Sequence, residues 1–167
     1  MSPPDQSVKL LDNTLVSRLC TEASASPRKR AVFNFHESAA DPVQRFLNVM
    51  QPGTYVRPHR HDDPVKWEMT VILSGKLVVL IIDSGGRVIQ RVDLDAEGPV
   101  RGVELTAGTW HTSAVVAPDT VILEIKRGPY DVATDKDFAK WAPLEGSAEC
   151  AAFEQKIRHA SVGDSLA

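Results

Sequence analysis

The chain predicts an all-β fold, a sandwich closed like a jelly-roll barrel, with a short N-terminal helix and a C-terminal extension. Three observations lead there. Short stretches rich in Val, Ile, Leu and Thr recur at regular intervals between residues 31 and 128. Turn signals separate them: Pro52-Gly53, Ser74-Gly75, Asp83-Ser-Gly-Gly86, Gly98-Pro99, Ala107-Gly108 and Ala117-Pro-Asp119. No helical run lies between consecutive strands, which excludes βαβ units and a parallel sheet.

Residues 1–8, with Pro3 and Pro4, read as a loose terminus. Asp12 or Asn13 suits the cap of a helix in which Leu15, Leu19 and Ala23 fall at helical spacing with Val16 beside them, and Pro27 ends it. Ser26-Pro-Arg-Lys-Arg30 then presents three cations, either a solvated connector or the entrance for an anionic substrate. Residues 31–36 alternate as a short strand with Asn34 and His36 on one face. His36 can line the site as an acid or base, but without a partner in sequence it fits a hydrogen-bonded structural histidine better. Residues 43–50 alternate Gln44, Phe46, Asn48 and Met50 against Arg45, Leu47 and Val49, the pattern of a half-buried strand. If the first face looks into a barrel, Gln44 and Asn48 form a polar row suited to substrate contacts.

Residues 70–73 and 76–82 are strands, and 83–86 is a hairpin loop that returns along 87–94. Residues 102–105 follow, and 112–116 with 120–126 read as the last hairpin. Beyond Gly128 the β pattern ends. Residues 134–138 and 141–143 read as a tail held by its aromatics, and 148–160 as a terminal helix with Phe153 and Ile157 one turn apart.

At 167 residues the chain fits one domain, with a core that needs neither disulfides nor a structural metal. Within it, 1–30 is tail and helix, 31–128 the barrel and 129–167 the extension. A formal charge of −3 and a pI near 5.9 leave no broad basic field, so nucleic acid is not an expected partner. Cys20 and Cys150 are too few and too far apart for a disulfide framework and read as free thiols. No apolar leader follows Met1, and no apolar run reaches the roughly 18 to 20 residues that span a bilayer, so the expected address is the cytoplasm, without a membrane partner. The partners left are a small-molecule ligand and a second copy of the chain in a homodimer.

The stretch 53–75, GTYVRPHRHDDPVKWEMTVILSG, carries the chemistry. In an extended strand alternate side chains share a face, so Tyr55, Arg57, His59 and His61 point one way and both imidazoles aim at one place. Neutral imidazole nitrogens bind zinc, iron, nickel or copper. Two structural histidines explain His-x-His equally well, but two further residues shift the balance. Glu68 opens the apolar run 68–73, where a charge must be paired or bound to a metal. His111 follows a glycine in AGTWH, and that glycine allows the bend that brings a second strand back to the first.

Gly53, His59, His61, Glu68 and Gly75 resemble the first motif of the cupins, a glycine, five residues, His-x-His, a glutamate, six residues and a glycine. Six residues separate His61 from Glu68 where three or four are usual, which implies a bulge or loop at Asp62, Asp63 and Pro64. Gly108 and His111 match the second cupin motif, with Thr106 in place of its proline and Val115 in place of its asparagine. Roughly residues 9–145 are similar to the WbuC family of cupin-fold metalloproteins, through SPRKRAVFNFH, DPVQRFLNVMQPGTYVRPHRH, KWE, AGTWH and KRGPYDVATDKDFAKWAP.

The resemblance implies a cupin double-stranded β-helix holding one divalent transition metal, Fe, Mn, Ni or Zn, on His59, His61 and His111, with Glu68 as fourth ligand. WbuC-like proteins are associated with surface polysaccharide (O-antigen) gene clusters, which implies a small polar substrate such as a sugar or sugar nucleotide, activated by the metal as a Lewis acid. A metal-dependent dioxygenase and a noncatalytic small-molecule binding module are the alternatives. Strand spacing also places Arg57 beside the imidazoles, where its planar fork suits the carboxylate or phosphate of an anionic ligand. The competing role for Arg57 is a pair with Glu68, Asp62 or Asp63.

Overall fold

The structure, a computed structural model, describes residues 8–62 and 66–167. Pro3 and Pro4 of the expected loose terminus, and Asp63 and Pro64 of the expected bulge, lie outside the described residues. Helix α1 (Asn13–Ala25) starts where the side chain of Asp12 accepts the N–H of Leu15 at 2.8 Å, satisfying one of the open donors of the first turn. Ten strands follow: β1 (Arg30–Asn34), β2 (Val43–Met50), β3 (His59–Arg60), β4 (Glu68–Ser74), β5 (Lys76–Ile82), β6 (Val88–Asp95), β7 (Gly102–Leu105), β8 (His111–Val115), β9 (Thr120–Arg127) and β10 (Asp137–Phe138). Helix α2 (Cys150–His159) closes the chain.

The strands form two five-stranded antiparallel sheets, ordered β1-β2-β9-β4-β7 and β10-β3-β8-β5-β6. Their inner faces meet over Met50, Ile72, Leu77, Val79, Leu94, Val115 and Ile122. Each outer face is covered as well. Leu19 and Ala23 of α1 sit on Leu47, Val49 and Val121, so β2 is buried on both faces where alternation alone had predicted one. Ile157 of α2 and Leu166 sit on Val78, Leu80 and Ile82, which explains why β5 reads as an unbroken apolar run. Each such side chain contributes roughly 1.5 to 3 kcal/mol of burial.

Two turns move the chain between sheets. Gly75, at φ +79, joins β4 of the first sheet to β5 of the second, and a Cβ there would stand 2.8 Å from the Cα of Thr120. The turn after β8 does the same. The expected hairpin of residues 112–126 is therefore incorrect: β8 pairs with β3 and β5, and β9 with β2 and β4. Two consecutive strands that each bury one face read alike whether they pair in one sheet or face each other across a sandwich.

The segment after residue 128 is built into the sheet. Asp137 and Phe138 of β10 pair with Arg60 and His59 of β3. Cys20 and Cys150 are free thiols. Among the described residues no helix is long and apolar enough to cross a membrane.

Candidate metal centre

Strand β3 is only two residues long, yet it places His59 opposite His111 of β8 in antiparallel register. Gly108, at φ +78, turns the chain into β8 and donates its N–H to the His61 carbonyl at 2.8 Å, tying the second histidine segment to the first. The ring centroids stand 4.3 Å apart for His59 and His111, 5.3 Å for His59 and His61, and 5.9 Å for His61 and His111. One nitrogen from each ring lies within 4.8 Å of the others, and all three residues are buried.

Backbone carbonyls fix the rings. Nδ1 of His59 donates to Arg57 O and Nδ1 of His111 to Thr109 O, both at 2.9 Å, and Nδ1 of His61 donates to Asp135 O. A nitrogen facing a carbonyl carries the proton, so in the neutral rings of His59 and His111 Nε2 is left with a lone pair. Among the described residues, Nε2 of His59 and of His111 is buried without any hydrogen-bond partner. Nε2 of His61 faces Glu68 Oε2 at 3.0 Å, and His111 Nε2 lies 3.9 Å from Glu68 Oε1.

Burial holds the pKa of His59 and of His111 below the ordinary imidazole value, keeping both rings neutral. Burial pushes Glu68 upward, but its carboxyl is held well below the usual range, the hydrogen bond with His61 being the largest of the effects that oppose burial. Three imidazole Nε2 atoms and an ionised carboxylate thus converge in a water-poor space, an arrangement that satisfies a divalent cation and without one leaves the Nε2 atoms of His59 and His111 orphaned. The donor set fits a metal.

Asp135, beyond the reach of sequence reasoning, supports His61. It is 2% exposed and accepts from Lys66 Nζ at 2.9 Å and Lys126 Nζ at 2.7 Å, each lysine 6% exposed. Despite burial, these ammonium groups hold its carboxyl below the usual range. Nothing local marks Asp135 in TDKD, because its partners lie in β9 and before β4.

A cavity of about 360 Å³ opens from the histidines toward β1 and β2, lined by His59, Glu68 and His111 together with Asn48, Glu124 and Lys136. Of the expected substrate-facing residues, Asn48 and His36 line it, and Gln44 does so in a structural role. The amide nitrogen of Gln44 donates to the carbonyls of Ser38, Ala39 and Asp41 at 3.4, 3.3 and 3.0 Å, fastening the loop before β2. His36 accepts the Arg45 backbone N–H on Nδ1 at 3.0 Å, as a structural histidine would.

Arg57 does not line the cavity, contrary to expectation. Its guanidinium donates to Ala139 O at 2.9 Å and lies 5.1 Å from the centre of the Phe138 ring, and it makes no ion pair among the described residues. Because β3 begins only at His59, after Pro58, the two-residue period does not extend back to Arg57 or to Tyr55, which packs outward against Phe153. Lys136, which sequence reasoning missed, lines the mouth with no ion-pair partner among the described residues. Arg28 and Arg30 also reach the mouth, and both are engaged by Glu145, with nitrogen–oxygen distances of 2.7 Å to its Oε1.

Two antiparallel sheets closed around a cavity with three histidines at one end define a cupin fold, and solved structures agree. The capsular polysaccharide assembling protein CapF from Staphylococcus aureus superposes with a TM-score of 0.54, at 19% identity over 68% of this chain and 32% of that one. CapF with the inhibitor 3-isopropenyl-tropolone gives 0.54 at 21% identity, over 64% of this chain and 31% of that one. Oxalate oxidase in complex with the substrate analogue glycolate gives 0.51 at 18% identity, over 81% and 75%. The chain spans about a third of the length of the CapF chains. No curated protein matches it in sequence. A family profile described as "Domain of unknown function (DUF6016)" matches residues 11–94, half of the chain, and the chain belongs to that family.

Proposed function

We propose that this chain binds one divalent transition metal through His59, His61, His111 and Glu68 and uses it to hold a small polar, anionic molecule in the adjoining cavity. The observation that carries the reading is the three imidazoles, each with Nδ1 committed to a backbone carbonyl and Nε2 turned toward the others beside a buried carboxylate. When bound, the metal supplies Lewis-acid polarisation of a hydroxyl or carbonyl oxygen.

The chain's own residues supply the rest. Met50, Leu77, Val79, Leu105 and Ile122 wall the cavity and exclude water, which strengthens every charge interaction inside it. A single carboxylate among four ligands leaves a divalent centre positive, and Lys136 adds a second positive charge at the mouth. Both favour an anion. Kinship to the WbuC-like cupins, and with it a hydroxylated substrate connected to surface polysaccharide, is supported by the sequence segments that carry the resemblance.

Elemental analysis of protein purified without added metal tests the centre. About one equivalent of a single transition metal is expected, and less than about a tenth of an equivalent overturns the reading. Iron as that metal would redirect the activity screen to oxygen-dependent reactions. Turnover that disappears in His59→Ala while ligand binding persists establishes an enzyme, and binding without turnover across sugars and hydroxy acids establishes a binding module.

A further inference from the structure

Facing the histidines from the other sheet, Asn48 of β2 and Glu124 of β9 stand on the inward surface of the cavity. Asn48 Nδ2 donates to Glu124 Oε1 at 2.9 Å. That bond uses one of the two Asn48 amide hydrogens and leaves the amide oxygen of Asn48 open as an acceptor. Asn48 Oδ1 is buried without a partner among the described residues, and Glu124 accepts no second hydrogen bond there. Lys126, the nearest cation along β9, is turned to Asp135.

The pair is not needed to join its strands. β2 and β9 are in continuous register from Val43 opposite Arg127 to Met50 opposite Thr120, without a bulge. Burial, and then the negative charge of Glu68, push the Glu124 carboxyl up to about 7, so the site is held at a cost to stability. A buried acceptor without a donor, as Asn48 Oδ1 is, is retained in proteins where a ligand completes it.

We infer that Asn48 and Glu124 form a hydroxyl-binding subsite, which makes the ligand of this cavity a hydroxylated acid. Its hydroxyl hydrogens donate to Asn48 Oδ1 and Glu124, and its acid oxygens turn toward the metal end and Lys136. The inference rests on the metal-and-anion reading of the same cavity and adds the chemistry of the ligand's other end.

The test is calorimetric titration of the protein with acids matched in carbon number, glycerate against propionate and gluconate against hexanoate, with metal content measured on the same samples. In at least one pair the hydroxylated acid binds wild type about tenfold more tightly or better. Asn48→Leu and Glu124→Met each erase that preference while keeping the wild-type metal content and melting at or above the wild-type temperature. Equal affinity within both pairs overturns the inference, as does a preference that survives both substitutions. A melting temperature that falls in both variants assigns the pair to the scaffold and overturns it too. Wild-type protein without metal strikes at the metal centre instead, and in that protein the hydroxylated member is still expected to bind more tightly, through Asn48 and Glu124.

Discussion

His59 and His111 lie opposite each other in the register of β3 and β8, and each donates its Nδ1 proton to the carbonyl two residues earlier in its own segment, Arg57 and Thr109, at 2.9 Å. One local device, used twice, turns both Nε2 lone pairs into the same buried space, with the rings 4.3 Å apart. Two lone pairs in that arrangement repel each other unless a cation stands between them.

His59→Ala and His111→Ala each remove a ligand and should bring the metal content from about one equivalent to below about a tenth. Chelation should lower the melting temperature of wild type, because a metal that binds only the folded chain stabilises it by mass action. The same treatment should leave the melting temperature of either variant where it was. Elemental analysis and thermal scans with and without chelator check both statements.

Asp135→Ala leaves the Lys66 and Lys126 ammonium groups buried without a counter-charge and should destabilise the metal-free protein by about 3 to 5 kcal/mol in urea unfolding. The depressed pKa of Asp135 fixes the pH dependence. Its contribution is complete above the unfolded value, near pH 4, and is lost as pH falls through the lower folded value. Wild type should lose stability below about pH 4 more steeply than Asp135→Ala. The segment that carries the carbonyl holding His61 depends on this network, so metal affinity in the variant should fall by roughly 10- to 100-fold.

What the sequence made legible follows from the range of each signal. The helix after Asp12, the strands with the glycine and proline turns between them, and the three histidines were readable because capping, alternation and His-x-His spacing are local patterns. Sheet membership was not, since β8 and β9 alternate alike whether they pair or face each other. Arg57 was misplaced because the period of two was extended through Pro58, two residues past the start of β3. Lys136 and Asp135 reach the site only through the pairing of β10 with β3, a contact across 77 residues between Arg60 and Asp137 that no local pattern encodes.

Arg57 and Lys136 should separate cleanly under the same substitution. Arg57→Met removes a hydrogen bond to Ala139 and a cation over Phe138, so it should cost about 1 to 2 kcal/mol of stability and leave the affinity for an anionic ligand unchanged. Lys136→Met should change stability by no more than about 0.5 kcal/mol and weaken anion binding several-fold, more at low salt than at high salt. Chemical denaturation and ligand titration at two ionic strengths distinguish the roles. An anion affinity that follows Arg57 instead of Lys136 would mean that the mouth of the cavity has been assigned to the wrong cation.

Glu124 supplies a pH dependence of the opposite sign to Asp135. Its folded pKa is raised to about 7, first by burial and then by Glu68, while in the unfolded chain it titrates near the ordinary glutamate value. Between roughly pH 4.3 and 7 the native state therefore holds a proton that the unfolded state has released, and stability falls as pH rises through that window. At about 1.4 kcal/mol per pKa unit the loss is at most on the order of 3 to 4 kcal/mol, reduced to the extent that water enters the cavity. Glu124→Gln keeps the shape and cannot titrate, so in metal-free protein its melting temperature should stay level between pH 5 and 7.5 relative to a declining wild type. Parallel curves for the two proteins would mean that Glu124 is already ionised at pH 5, and that its carboxylate is better solvated than its place inside the barrel implies.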